Sequence, residues 1–291
     1  MFPRRIYLSG GGMCAIAHVG ALLEIATHIP LKMIKEWMGV SAGSFVSMCL
    51  CIGFTLEELA DFCVRFDFTN IKEMDSVPGW LLHLGMDTGE RLHKLIDACL
   101  HVKGLSSTFT FKECYDTFGV SLRVIATDLN EAKPIVFSPT DTPHYQISNA
   151  VRASMAFPYY FQPFICPVSG HYLVDGAVIS NYPLFLLPKT EHAKTLSILI
   201  NTTVEQKEDL MELEMDQLIT RPLNVALIEK SNIEANLYES KCIRIMLGEV
   251  NILEFSFDED TKNRIIEKGK AAANHYFTRT MNVIKHRRHS F

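Results

Sequence analysis

Three short stretches of this sequence hold residue types, at spacings, that suit nucleophilic chemistry. The first is Gly39-Val40-Ser41-Ala42-Gly43, set between two apolar runs. That pattern predicts a tight strand-to-helix turn, with the Ser41 hydroxyl exposed and flanking backbone N–H groups converging on one spot. Gly39 and Gly43 fit because a side chain there would collide with a neighbouring element. The second stretch is Gly10-Gly11-Gly12, between a predicted strand at residues 5–9 and a predicted helix from Ile16. Such a loop offers several backbone N–H groups to an anion, helped by the helix dipole. The third is Asp175-Gly176-Ala177, at the end of the apolar strand Tyr172-Leu173-Val174.

The glycine loop admits two chemistries. Gly10-x-Gly12-x-x-Ala15 fits a dinucleotide fingerprint with Ala in the last place, which asks for an acid at the far end of the second strand. That end is Gly39-Val40-Ser41, and Glu36 stands at its start. An oxyanion hole for acyl transfer instead asks for a nucleophile at that end, where Ser41 stands. A serine hydroxyl needs a base to attack at neutral pH. Among the 11 histidines, His192 and His275 are the late ones a Ser-His-Asp triad would use, but neither sits in a recognisable catalytic loop. Asp175 has the stronger claim: apolar Leu173, Val174 and Val178 surround it, and Gly176-Ala177 permits close backbone approach. The plain alternative is a turn-forming Asp-Gly.

The elements that must position these residues follow from periodicity. Ile6-Tyr7-Leu8 reads as a strand. Ile16, Val19, Gly20 and Leu23 recur at helical spacing until Pro30. Strand–helix units in succession imply parallel pairing. Thr55 and Glu58 form a predicted capping box. Residues 67–87 read as a loop or hairpin insertion near the site, with helices at 88–102 and 110–118. Strands follow at 120–128 and 135–137, then a helix at 147–156 and strands at 172–174 and 196–200. Two long helices, at 208–236 with a break near Pro222 and at 258–285, flank a last strand at 241–246. Residues 5–203 are therefore expected to form the catalytic core, and 204–291 a helix-rich extension packed on the same domain.

Composition narrows the functional classes. The chain has 291 residues, 28 basic and 33 acidic for a net charge of −5, so it offers no bulk attraction for nucleic acid. The most apolar run, residues 45–54, falls short of the ~20 residues a membrane span needs. No apolar signal segment follows the N-terminal arginines, because Ser9-Gly10-Gly11-Gly12 interrupts it. The expectation is an intracellular, cytoplasmic protein that associates peripherally with membranes. The eight cysteines include no Cys-x-x-Cys pair, which points to reduced, buried thiols and no metal site. The basic stretch Lys285-His286-Arg287-Arg288-His289 reads as a solvated, frayed helix end, with attraction to anionic lipid surfaces as the alternative.

Over roughly residues 5–200 the sequence resembles the patatin-like phospholipases, a family of lipid acyl hydrolases. Four ordered features carry the resemblance. They are Leu8-Ser9-Gly10-Gly11-Gly12 running into Ala17-His18-Val19-Gly20-Ala21-Leu22, and Gly39-Val40-Ser41-Ala42-Gly43-Ser44. Further on come Val151-Arg152-Ala153-Ser154-Met155-Ala156-Phe157-Pro158 with Phe161 and Pro163, and Val174-Asp175-Gly176-Ala177 with Asn181 and Pro183. The resemblance implies a three-layer α/β/α sandwich with a mostly parallel sheet and a helical C-terminal extension. It implies Ser41 as nucleophile and Asp175 as base in a dyad without histidine, and a backbone oxyanion hole from Gly10, Gly11, Gly12 and Met13. By its position after the nucleophile, Ala42 adds a donor. The implied substrate is a phospholipid or other acyl-ester lipid at a membrane or micelle surface, hydrolysed without cofactor or metal. Two departures stand out: Cys14 replaces the usual Arg or Lys after the glycine loop, and Ala15 the following Gly. Arg152 is expected first in a structural ion pair, with a compensating charge as its alternative role. The alternatives are a nucleotide- or phosphate-binding protein that uses the glycine loop, and a catalytically silent lipid-binding relative.

Overall fold

The computed structural model describes residues 2–73, 84–203, 215–237 and 242–288. The expected hairpin at 67–87, the helix start at 208, the last strand's Lys241 and the basic stretch's His289 fall partly or wholly outside these residues. So does the expected boundary after residue 203.

The chain opens with β1 (Arg5–Leu8), α1 (Ile16–His28), β2 (Glu36–Val40) and α2 (Ala42–Cys51). It continues through α3 (Leu56–Arg65), β3 (Gly85–Asp87), α4 (Glu90–Val102), α5 (Phe111–Phe118), β4 (Ser121–Asp128), β5 (Lys133–Phe137) and α6 (Ile147–Ser154). After β6 (Tyr159–Phe161), β7 (Phe164–Ile165) and β8 (Tyr172–Asp175) come α7 (Lys189–His192), β9 (Thr195–Thr203), α8 (Met215–Leu237), β10 (Cys242–Glu249) and α9 (Glu259–Arg288). The main sheet has the order β10-β9-β1-β2-β4-β8-β7, with β5 also on β4. β10, β9, β1, β2 and β4 run parallel; β5, β8 and β7 are antiparallel to their neighbours.

Alternation along the strands buries both faces of this sheet. Ile6, Leu8, Trp37 and Ile198 pack into the larger core with Leu22, Met48 and Ile266 from the helices. Tyr7, Met38, Ile125 and Leu199 point the other way, against Tyr182, Leu184, Leu187 and Ala235. The result is a mostly parallel sheet between helical layers. Register then fixes the site. Leu8 pairs with Gly39, so the glycine loop and Ser41 leave the sheet at the same edge. Val40 pairs with Ile125, and the next β4 residue, Ala126, faces Asp175 on antiparallel β8. Two sequence-distant segments thus meet across β4.

Local chemistry agrees with the sequence at most element ends. The Thr55–Glu58 capping box forms with both bonds, at 2.8 and 3.1 Å. A second box, Thr110–Glu113, caps α5. One expectation needs correction: α8 is continuous through Pro222. Pro222 lies on the exposed side, where water can serve the carbonyl that loses its N–H partner. All eight cysteines are unbridged, and only Cys242 is less than fully buried. Among the described residues no helix is long and apolar enough to cross a membrane.

Candidate active site

Ser41 sits between β2 and α2 with φ 53° and ψ −133°, a conformation that L-residues rarely hold. Neighbouring groups fasten it there. Its N–H donates to Ser154 Oγ at 2.9 Å, and the Ser154 hydroxyl donates to the carbonyl of Ile125 at 2.6 Å. Its own carbonyl accepts from the Ser44 hydroxyl at 2.6 Å. The turn is tight enough to require the flanking glycines: a Cβ on Gly43 would stand 2.4 Å from both Leu8 O and Ser9 O, and one on Gly39 2.4 Å from Gly43 O.

Asp175 is completely buried. Its Oδ1 accepts the Ala177 N–H at 2.9 Å, while Oδ2 has no partner of hydrogen-bonding geometry among the described residues. Burial pushes the carboxyl up to about 7, against the lowering pull of the Ser41 hydroxyl and the Ala177 N–H. Its backbone is pinned from both sides, with the N–H donating to Ala156 O and the carbonyl accepting from the Thr127 hydroxyl. Ser41 and Asp175 line one cavity of about 140 Å³.

The glycine loop borders the same cavity. A Cβ on Gly10 would come within 2.9 Å of Ser41 Cβ. Not every N–H of the loop is available, however. Gly10 N–H donates to Asn181 Oδ1 at 2.7 Å, and Met13 N–H to Ile252 O at 2.9 Å. The N–H groups of Gly11, Gly12 and Ala42 have no acceptor among the described residues. The cavity walls are apolar, with Phe45, Phe62, Phe68, Leu92, Phe157 and Phe161 among them. No histidine lines it among the described residues. His192 holds Leu184 O and Leu187 O, and His275 is exposed on α9. Buried His18 lies with Nε2 2.8 Å from Ser9 O, and burial lowers its pKa to about 4. It steadies the glycine loop as a neutral ring.

Over residues 6–187 the sequence matches the family described as patatin-like phospholipase. The chain belongs to that family. It is 26% identical over 195 residues to "Probable lipid hydrolase 463L" of Invertebrate iridescent virus 6, covering 66% of each chain. It is also 26% identical over 276 residues to "Uncharacterized protein R571" of Acanthamoeba polyphaga mimivirus, covering 91% of each. Among solved structures, VipD from Legionella pneumophila shares the fold with a TM-score of 0.65 at 15% identity, over 94% of this chain and 66% of that one. ExoU from Pseudomonas aeruginosa, solved with SpcU, gives 0.55 at 13% identity, over 96% of this chain and 53% of that one. The chain therefore spans just under two thirds of VipD and about half of ExoU.

In this patatin-like phospholipase the family's usual cation is absent after the glycine loop, since Cys14 is buried and uncharged, its thiol pushed up to about 12 by burial. Arg152 brings no charge to the cavity. It donates to the carbonyls of Gly89, Thr88 and Gln162 at 3.1, 2.9 and 3.3 Å, tying β3, α4 and β6 together. Asp128, Glu131 and His171 bring ligand-type atoms within 4.8 Å of one another. Their bonds close a turn: Asp128 Oδ2 meets His171 Nδ1 at 2.8 Å, and Oδ1 accepts from Asn130 and Glu131 N–H. Sequence reasoning did not assign roles to Ser154, Asn181 or Ile252. Ser154 and Asn181 stand within motif stretches, so their position was visible there. Ile252, beyond the family's matched span, carried no signal.

Proposed function

We propose that this patatin-like phospholipase is a serine acyl hydrolase that cleaves fatty-acyl carboxylic esters of lipids through a Ser41–Asp175 dyad. The observation that carries the reading is the pairing of a strained Ser41 with a buried carboxylate, one oxygen of which is unengaged among the described residues, in one apolar cavity. A carboxyl held near neutrality is matched to taking and returning a proton at physiological pH. Ser41 Oγ attacks the ester carbonyl as Asp175 takes its proton, and Gly11, Gly12 and Ala42 N–H supply the oxyanion donors. Gly10 keeps its place in the loop through Asn181. Collapse of the tetrahedral intermediate expels the alcohol, which receives the proton from Asp175. Water, deprotonated by Asp175, then attacks the acyl-enzyme and releases the fatty acid. Each oxyanion donor is worth about 3 kcal/mol in such a step.

The lipid enters from a surface, and α8 supports that reading. Met215, Leu218, Ile219, Val225, Ile233 and Leu237 are exposed along one side of this helix. Asn224, Leu227, Ser231 and Asn232 line the cavity. An exposed apolar face beside an apolar cavity suits peripheral contact with a membrane or micelle. The test is product analysis by mass spectrometry from mixed phospholipids and acylglycerols, with Ser41→Ala as control. Free fatty acid is expected from the native protein. Fatty acid no higher than in the Ser41→Ala control would favour the catalytically silent alternative.

A further inference from the structure

The cavity has a second, polar end. Asn201 and Thr202 line it from β9, and Asn224, Ser231 and Asn232 from α8. Asn224 and Ser231 lie seven residues apart, two turns on one helix face. Three atoms in this group are buried and unpartnered: Asn201 Oδ1, Asn224 Oδ1 and Ser231 Oγ. Asn201 and Ser231 are 5% and 6% exposed. Asn201 is already oriented, since its Nδ2 donates to Asn232 Oδ1 at 2.7 Å. Buried polar atoms nearly always find partners, because leaving them dry is costly. Three such atoms share the cavity with Ser41, where a ligand's donors and acceptors can reach them.

The charge of the cavity says which ligand. None of its described lining residues is Lys, Arg or His, and Asp175 is acidic. Lys230, Lys262 and Lys268 are committed to backbone carbonyls, of Val178, of Val64 and Phe66, and of Leu247, while Lys72 lies 5.6 Å from the ring centre of the cavity-lining Phe255. A phosphate brings negative charge and acceptor oxygens, and would face two bare carbonyl oxygens and a carboxylate with no cationic side chain among the described lining residues to offset them. A hydroxyl both donates and accepts, which two amide oxygens and a serine hydroxyl can all satisfy.

We infer that Asn201, Asn224 and Ser231 form a subsite for the uncharged, hydroxyl-bearing end of a neutral acylglycerol. The Ser41 site would then select neutral glycerol esters over phosphate-bearing lipids. This rests on the acyl-hydrolase reading. The apolar wall takes the acyl chain and the polar end takes the leaving glycerol.

The test compares kcat/KM of the purified protein on three micellar esters of one acyl chain: monooleoylglycerol, its glycerol-phosphate counterpart, and methyl oleate. The native protein should prefer monooleoylglycerol to methyl oleate by about tenfold or more, and the phosphate ester should be the poorest. In Ser231→Ala the monooleoylglycerol-to-methyl oleate ratio should fall by about tenfold, the scale of one lost hydrogen bond. Ser231→Thr, which keeps the hydroxyl, should restore it. Asn224→Ala gives the same readout should Ser231→Ala be poorly folded. The melting temperature of Ser231→Ala should equal or exceed that of the native protein, because an unpaired buried hydroxyl is removed. An unchanged ratio in both alanine variants, or preference for the phosphate ester, overturns the subsite. Failure to cleave even methyl oleate is a different result: it overturns the hydrolase reading itself.

Discussion

The hydroxyl of Ser154 holds the backbone of Ser41, accepting its N–H at 2.9 Å while donating to Ile125 O at 2.6 Å. One side chain on α6 thus ties the strained turn after β2 to strand β4, the strand against which Asp175 pairs. Ser154 is fully buried, so water cannot replace it. The geometry between Ser41 and Asp175 is set by this bridge as much as by the glycines around Ser41.

Ser154→Ala should therefore act as a positioning variant. It leaves a buried N–H without its acceptor, a cost of about 1–3 kcal/mol. Urea denaturation should show that loss, and ester hydrolysis should show a fall in kcat with KM little changed. A variant with native stability and native kcat would remove the bridge from the account.

Asp175→Asn should be inactive yet gain stability with rising pH relative to the native protein. Burial raises the Asp175 carboxyl to about 7, above its ordinary 3.8. Between those values the folded state binds more protons than the unfolded one, so the native protein loses stability as pH rises and levels off above about 7. Asparagine does not titrate. The melting-temperature difference, variant minus native, should be larger at pH 8 than at pH 5. A difference independent of pH would mean that Asp175 is not held in an apolar environment.

Ile233→Glu tests the exposed face of α8. Ile233 is 61% exposed, so the fold has little reason to notice the change. Removing one apolar side chain from a lipid contact, worth about 1.5–3 kcal/mol when fully buried, should weaken sedimentation with neutral phospholipid vesicles by about tenfold or more. Equal sedimentation of variant and native protein would place the lipid contact elsewhere.

Much of this site was legible in the sequence because its parts are punctuated locally. Gly39, Ser41 and Gly43 specify a turn by their sizes, and Gly10 to Gly12 specify a loop between a strand and a helix. The Thr55–Glu58 box needed only a three-residue spacing. What local pattern could not show was pairing. That β8 runs antiparallel to β4, bringing Asp175 level with the end of β2, depends on contacts between residues about fifty apart. The engagement of Met13 N–H by Ile252 O joins residues from opposite ends of the chain. Pro222 misled in the opposite direction: its local rule favours a break, but its exposed position on α8 leaves the helix intact. Asn201 and Asn224 read in sequence as ordinary polar residues, and only the burial of their unpartnered amide oxygens makes them informative.

In the proposed mechanism Asp175 activates Ser41. The most direct measurement is the rate at which a fluorophosphonate modifies Ser41, mapped by peptide mass spectrometry across pH 5–9, in the native protein and in Asp175→Asn. The expected rate rises through a midpoint near pH 7 and then levels, label appears on Ser41, and Asp175→Asn reacts about 10²–10⁴-fold more slowly, the range of general-base assistance. Labelling of Ser41 in Asp175→Asn at the native rate would contradict the dyad and point to another base.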